Sequence, residues 1–315
     1  MMNYNLEFNF GVLPDPPQSS GHIFYHYCSM KSLEAILRTK TMRLYDLQSM
    51  NDPSELYVRS INFSELIANI YRKNYFDFEY TCNGMKCNML TYLKALDIQY
   101  SLLSGGQHNT MSFALCLSKQ GNSLSQWRLY GDNGNGVCLG FSKYALEEYT
   151  STHQDALWQR VDYISNFKEF CEKIATDILD NIRKIYSSGD KEELTRYQTT
   201  MFDKIFNEAS QYKIADYRDE DEYRLVVQKT SKLILPNATP DLVVNEEFID
   251  DSMGFDVMQN KIRAFKTIPL EQLGLSSITL GPKNETTKQM LSLLLAKNGL
   301  TSPIEIYKSK IPYRG

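Results

Sequence analysis

Residues 22–47 read HIFYHYCSMKSLEAILRTKTMRLYDL, and their order decides the class of the fold. The aromatic run 22–28 is typical of a buried strand. Ser29 is suited to cap the helix that follows, because the apolar residues after it recur with the spacing of one helical face. Residues 41–47 predict a second strand. A strand, a helix and a strand in close succession indicate a fold that combines helices with a sheet.

Beyond this stretch the sequence alternates between strand-like and helix-like segments. The segments that predict strands are 110–118, 137–142, 222–229, 261–268, 276–282 and 304–314. The segments that predict helices are 143–149, 284–299 and the two halves of 166–213, which are separated by SSGD at 187–190. Strands at both ends and helices in the middle predict an α+β fold.

The chain divides into a lead-in and one folded unit. Residues 1–21 contain repeated Pro and Ser residues and are interpreted as an extended lead-in. Residues 22–315 are interpreted as a single α+β domain. Segments 74–109 and 166–213 are interpreted as helical insertions within that domain.

Composition excludes some classes of function. With 42% hydrophobic and 23% charged residues among 315, the chain has the make-up of a globular protein with a core. A net charge of −4 argues against nonspecific binding to nucleic acid or to an anionic membrane. The six cysteines lack the spacing of a disulfide framework, and no stretch is apolar over the length of a membrane span. We expect a cytoplasmic protein that binds no metal.

Residues 127–141, WRLYGDNGNGVCLGF, contain a glycine-rich segment beside an arginine. A phosphate-binding P-loop requires a Lys and a hydroxyl residue after its last glycine, and this segment has neither. A dinucleotide fingerprint would open a helix, whereas this segment leads into a predicted strand. Asn-Gly steps favour a hairpin turn, so we interpret the segment as a tight turn between two strands.

The order of several motifs resembles a bacterial family. The motifs are YHYCSMKSLEAIL, RLYDLQSMNDPSEL, SFALCLSKQGNSLSQWRLYGDNGNGVCLGF, DEDEYRLV, ITLGPKN and SKIPYR. Together they are similar to domain of unknown function 2971, from about Tyr25 to Arg314, with departures in 74–109 and 166–213. That family carries no assigned activity, so the resemblance implies an architecture rather than a reaction.

A second resemblance implies a reaction. The stretch YHYCSMKSLEAILRTKTMRL is similar to the opening of ADP-ribosyltransferase-like domains, which have mainly antiparallel sheets. The resemblance implies that His26 binds a ribose hydroxyl of NAD and that Tyr130 stacks on nicotinamide. It also implies that Glu222, with Glu220 beside it, is the catalytic carboxylate.

The implied chemistry agrees with the residue types. Breaking the bond between nicotinamide and ribose generates positive charge on the sugar, and a fixed carboxylate stabilises that charge. Arg224 lies two residues after Glu222, on the same face of the predicted strand, and could hold it in place. A salt bridge at a sheet edge would explain the same pair without any catalytic function.

Other residues have two interpretations. Arg43, on a predicted strand, would be costly to bury without a partner, so we regard it as a candidate phosphate ligand. Asn51 could face a cleft, although the NDPSE stretch around it is typical of a helix start, with Asp52 as N-cap. Trp127 and Tyr130 could form a ligand platform or belong to the core, and His26 could be a core histidine.

Three functions remain open from the sequence. The first is an enzyme that cleaves NAD and passes ADP-ribose to a protein, a nucleic acid or water, in which case 166–213 would be a lid or a partner-binding arm. By analogy such chains act as toxins or in phage defence. The second is a binding module that holds a nucleotide without turnover. The third is a metal-dependent hydrolase or nuclease that uses Asp52, Glu55, Glu220 and Glu222.

Overall fold

The computed structural model describes most of the chain. The described residues are 13–17, 21–50, 63–82, 85–94, 110–197, 201, 210–230, 249–258, 260–300 and 302–313. Asn51 and the predicted helix start at 51–55 lie outside them, as does most of the predicted lead-in.

Ten of the described strands form one sheet. In chain order the strands among the described residues are β1 (Ile23–Cys28), β2 (Thr41–Asp46), β3 (Glu79–Cys82), β4 (Met85–Asn88), β5 (Thr110–Ser118), β6 (Val137–Ser142), β7 (Ala156–Arg160), β8 (Asp162–Ile164), β9 (Tyr212–Ile214), β10 (Glu222–Thr230), β11 (Met253–Met258), β12 (Lys261–Pro269), β13 (Leu275–Leu280) and β14 (Glu305–Lys308). The order in the large sheet is β11-β12-β2-β5-β1-β6-β13-β14, and β10 and β7 continue from the second edge of β5. Every pair in it is antiparallel except β13 with β14. The predicted α+β class with a mainly antiparallel sheet is confirmed.

Strand β5 is the branch point of this sheet. It pairs with β10 along its whole length, from Thr110 to Ser118. On its other edge it pairs with β2 only at Phe113 and Ala114, and with β1 only at Ser118. Because β1 and β2 meet β5 at different points, they diverge above the intervening residues of β5 and leave a cleft between them.

The helices pack in two groups. They are α1 (Met30–Thr39), α2 (Phe63–Lys73), α3 (Leu124–Leu129), α4 (Lys143–Thr152), α5 (Phe167–Ser188) and α6 (Lys288–Lys297), with a further helical segment at 89–94 and another at 191–197. Leu33 and Leu37 of α1 and Leu291 of α6 are buried against the sheet in one hydrophobic core. Helices α2 and α5 pack together in a second core, with Ile178 and Ile182 fully enclosed.

Local sequence explains where the helices begin and end. Ser29 accepts a hydrogen bond from the backbone N–H of Ser32, so it caps α1 as predicted. Asn166 caps α5 by accepting from the backbone N–H of Glu169. Helix α5 ends at Gly189, whose φ of +76° suits a residue without a side chain, and this is the predicted break at 187–190.

The glycine-rich segment is not a turn between two strands, so that prediction was wrong. It joins α3 to β6, and Asp132, Asn133 and Gly134 all have positive φ. Its backbone packs against the loop after β13, where Asn284 donates hydrogen bonds to the carbonyls of Asn135 and Gly136. The segment is therefore a connection from a helix to a strand that is held against the loop after β13.

The segment 74–109 also differs from its prediction. Strands β3 and β4 form a small antiparallel hairpin there, followed by the helical segment 89–94, so the described part of the segment is not purely helical. Strands β8 and β9 form a parallel pair that flanks α5.

Candidate functional site

The cleft between β1 and β2 holds a cavity of about 330 Å³. Its floor is the part of β5 that includes Cys116, and helix α1 covers one side of it. Five of the predicted site residues line it: His26, Arg43, Tyr130, Glu220 and Glu222. Residues that are distant in sequence therefore converge on one cavity.

A buried cluster of four charged side chains borders the cavity. Lys213 of β9 donates hydrogen bonds from Nζ to Glu220 Oε2 at 2.7 Å and to Glu222 Oε2 at 3.0 Å. Arg224 Nε donates to Glu222 Oε1 at 2.8 Å, and Arg224 is fully buried. Two carboxylates and two cations balance in charge, which is the condition for burying them together.

The cluster keeps Glu222 ionised. Burial by itself would raise the pKa of Glu222, but the positive charges of Arg224 and Lys213, with their hydrogen bonds, lower that pKa to about 2. Burial likewise opposes the charge of Lys213, yet Glu222 and Glu220 raise its pKa above the ordinary value. A fixed negative charge thus stands at the wall of the cavity at neutral pH.

The local backbone explains why Glu220 and Glu222 meet one lysine. Glu220 ends a 3-10 helix (Ala215–Glu220), and Asp221 adopts a left-handed conformation with φ of 42° before β10 begins. Glu220 is therefore not on a strand, although it converges with Glu222 as predicted. Its backbone carbonyl accepts a hydrogen bond from Ser118 Oγ at 2.7 Å, which ties this turn to the end of β5.

His26 is held in a neutral form. Its Nδ1 lies 3.0 Å from the carbonyl oxygen of Cys116, so Nδ1 carries the proton and donates it. Burial lowers the pKa of His26, and the hydrogen bond to Cys116 opposes that effect only in part. Tyr25 and Tyr27, its neighbours on β1, pack instead with Trp127.

Tyr130 touches the carboxylate cluster directly. Its hydroxyl donates to Glu220 Oε1 at 2.6 Å. Burial raises the pKa of Tyr130, and the hydrogen bond to Glu220 raises it further. The residue is about one-third exposed, at 36%, and lines the cavity.

Arg43 lies at the cavity and is not buried, and its role as a phosphate ligand stays a prediction. Its side chain is 45% exposed, rests 4.2 Å above the ring of Phe265 and reaches Asp256 Oδ2 at 3.5 Å. Arg263 of β12 also lines the cavity and donates to both oxygens of Asp256 at 3.0 Å.

Two predicted residues are structural in the described geometry. Trp127 is fully buried, donates from Nε1 to Asn122 and packs edge-on against Tyr27, so it does not line the cavity. Arg224 lies behind Glu222, where it also donates to the carbonyl of Ser210 at 2.9 Å.

Sequence reasoning missed Lys213, Arg263 and Asp256. Lys213 lies on a three-residue strand inside a segment that was interpreted as helical, so no local pattern marked it. The alternation of KIRAFKTI does place Arg263 and Phe265 on one face of a strand, which is a signal that could have been used. Asp256 lies on β11, a strand that the sequence did not predict.

The described residues contain neither a metal-binding cluster nor a membrane-spanning helix. No group of three or more His, Cys, Asp or Glu side chains in the described ranges is arranged to hold a metal ion. In the same part of the chain, no helix combines the length and the apolar character needed to cross a membrane.

Comparison with known proteins matches part of the chain to a family and indicates no activity. The model described as protein of unknown function (DUF2971) matches residues 126–225. The predicted resemblance to this family is confirmed over those residues. No curated protein and no solved structure matches the sequence.

The segment matched by DUF2971 carries one wall of the cavity. It includes Tyr130, Lys213, Glu220 and Glu222, and it ends just beyond Arg224. It also runs through 166–213, which the sequence suggested would depart from the family. His26, Arg43 and Arg263 lie outside the matched segment.

Proposed function

We propose that the protein binds NAD in the cavity between β1 and β2 and cleaves the bond between nicotinamide and ribose. The observation that carries the proposal is the convergence of His26, Tyr130 and Glu222 on one cavity, although they come from three separate parts of the chain. In this proposal the fold is of the ADP-ribosyltransferase-like type. The protein acts in the cytoplasm, where NAD is present.

The arrangement supplies what the reaction needs. As the bond breaks, nicotinamide leaves with the bonding electron pair and the ribose carbon becomes positive. Glu222, ionised and held by Arg224, stabilises that charge, while neutral His26 offers a ring nitrogen to a ribose hydroxyl. Tyr130 provides an aromatic face for the nicotinamide ring. An acceptor oxygen from water, a protein or a nucleic acid then bonds to the ribose carbon and loses its proton to solvent water.

One observation favours a second candidate, a module that binds a nucleotide without turnover. Both carboxylate oxygens of Glu222 already accept hydrogen bonds, from Arg224 and from Lys213. A carboxylate with its charge shared between two cations stabilises an adjacent positive charge less strongly. In this candidate the cluster has a structural role.

The release of nicotinamide from NAD separates the two candidates. We expect release by the natural protein and a loss of at least about 100-fold in Glu222→Gln, the scale seen when one electrostatic stabiliser is removed. Glu271→Gln, a change of the same kind at an exposed position away from the cavity, should release nicotinamide at the natural rate. No release by the natural protein, with candidate acceptors present, would favour the binding module.

A further inference from the structure

The end of the cavity formed by β2, β11 and β12 carries two arginines that share one carboxylate. Arg43 and Arg263 both contact Oδ2 of Asp256, and both line the cavity. One negative charge offsets one of the two guanidinium charges, so this group has a net positive charge. It is distinct from the balanced cluster around Glu222.

The two arginines are oriented by aromatic rings. Arg43 lies over Phe265 at 4.2 Å, and Arg263 lies over Tyr45 at 4.3 Å. Gly254 allows this packing, because a Cβ there would press on the ring of Phe265. A guanidinium is planar, and stacking on a ring fixes the orientation of that plane, so its N–H groups are presented together to the paired oxygens of a phosphate.

Asp256 does not use up the donors of Arg43. The contact from Arg43 to Asp256 is 3.5 Å long, and the Arg43 side chain is 45% exposed. A guanidinium has five N–H donors, and the contact with Asp256 occupies only one of those of Arg43, a residue that lines the cavity. Asp256 is bound mainly by Arg263, at 3.0 Å on both oxygens, and by the Tyr45 hydroxyl at 2.8 Å.

The spacing to the carboxylate cluster fits a nucleotide. Tyr45 of β2, whose ring lies under Arg263, is opposite Ala114 in the middle of β5, whereas Glu222 of β10 is opposite Ser118 at the end of β5. Four residues of a strand span roughly 13 Å. The positive group and Glu222 therefore lie at opposite ends of one cavity, at a distance that an extended nucleotide can bridge.

We infer that Arg43 and Arg263 form a binding site for the diphosphate of a nucleotide ligand. The inference rests on the proposed function for the identity of that ligand, a dinucleotide, but it does not require that the ligand is cleaved. It adds Arg263 to the site and makes the diphosphate the group that determines which ligands enter.

Calorimetric titration with ADP-ribose and with adenosine tests the inference, because only ADP-ribose carries a diphosphate. In Arg263→Gln and in Arg43→Gln we expect ADP-ribose to bind about tenfold more weakly than to the natural protein, with adenosine binding unchanged. Lys266→Gln is the matched control. Lys266 lies on β12, as Arg263 does, but on the opposite face of that strand, where it pairs with Asp250. Removing its positive charge should leave ADP-ribose binding unchanged.

A variant that is expected to bind ADP-ribose more tightly tests whether Arg43, Arg263 and Asp256 have only a structural role. Asp256→Asn removes the competing carboxylate, so ADP-ribose should bind several-fold more tightly. A loss of binding in Asp256→Asn as large as that in Arg263→Gln would overturn the inference. So would an ADP-ribose affinity in Arg263→Gln within twofold of the natural value.

The two proposals fail in different ways. Nicotinamide release whose dependence on NAD concentration is the same in Arg263→Gln and the natural protein would overturn this inference and leave the proposed reaction standing. ADP-ribose binding that depends on both arginines, without any nicotinamide release, would support this inference and overturn the proposed reaction.

Discussion

At the scale of single residues, Glu222 combines burial with charge. It is 4% exposed, and its carboxylate persists because Arg224 and Lys213 surround it. The cost of removing a carboxylate from water is offset only while those partners remain in place. Because of these contacts, the protonation of Glu222 is linked to the folding of the protein.

We expect Glu222 to contribute to a loss of stability in acid. Its pKa falls from 4.5 to about 2 on folding, so it stabilises the folded state fully above pH 4.5, and the stabilisation disappears as the pH falls towards 2. The contribution is about 3 kcal/mol in free energy of unfolding. Urea unfolding of the natural protein and of Glu222→Gln between pH 2 and 6 measures it. A difference between the two that stays constant over this range would contradict the expectation.

We expect His26 also to lower the free energy of unfolding as the pH falls, but at higher pH values than Glu222. Its pKa is lowered in the folded state, so the unfolded chain takes up the proton first as the pH falls below the ordinary value of 6.5. The free energy of unfolding should therefore fall below pH 6.5 in the natural protein and fall less in His26→Gln. Thermal unfolding of both proteins between pH 5 and 8 tests this, and parallel curves would show that His26 does not contribute.

At the scale of elements, strands in the middle of the sheet were predictable and two strands at its edges were not. HIFYHYC and EYRLVVQK are buried on both faces near the middle of the sheet, and their aromatic and β-branched residues indicate this. Strands β7 and β11 lie at sheet edges and carry exposed apolar residues such as Leu157 and Val257, so their sequences lack the regular pattern of a central strand. The site was predictable where a residue lies on a strong strand, as Glu222 does on β10, and not where tertiary pairing placed it, as with Lys213.

Gly136, the last glycine before β6, is expected to tolerate no side chain. A Cβ on Gly136 would lie far inside contact distance of the backbone carbonyl oxygen of Cys28. We expect Gly136→Ala to lower the free energy of unfolding by at least about 2 kcal/mol. Gly189→Ala is the control, since a Cβ there meets nothing within 4 Å and costs about 1 kcal/mol for its left-handed backbone. Equal losses in the two variants, measured by urea unfolding, would be inconsistent with this interpretation.

At the scale of the whole molecule, two hydrophobic cores meet at the charged cluster. Lys213 lies on β9, which pairs with β8 beside the helical core of α2 and α5. Its ammonium group reaches Glu222 on β10, a strand of the large sheet. The charged cluster therefore joins the helical core to the sheet.

We expect the two cores to unfold together. Both tryptophans of the chain, Trp127 and Trp158, pack with residues of the sheet, so fluorescence reports on that part, while far-UV circular dichroism reports strongly on the helices. Ile178→Ala in the helical core should lower the free energy of unfolding by about 2–4 kcal/mol and shift both signals equally. Ile262→Ala, the same change at an exposed residue, should shift neither. A dichroism transition that moves while fluorescence stays unchanged would show independent units.

The branching of the sheet at β5 also has a kinetic consequence. Ser118 of β5 must pair with Glu222, which follows it in the chain only after helices α3, α4 and α5. It must also pair with Tyr25, which lies in the N-terminal part of the chain. Closing such long loops costs conformational entropy before any contact repays it, and chains dominated by distant pairings fold slowly. The cavity can exist only after both closures, so ligand binding should appear late in refolding, after most of the helical signal has returned.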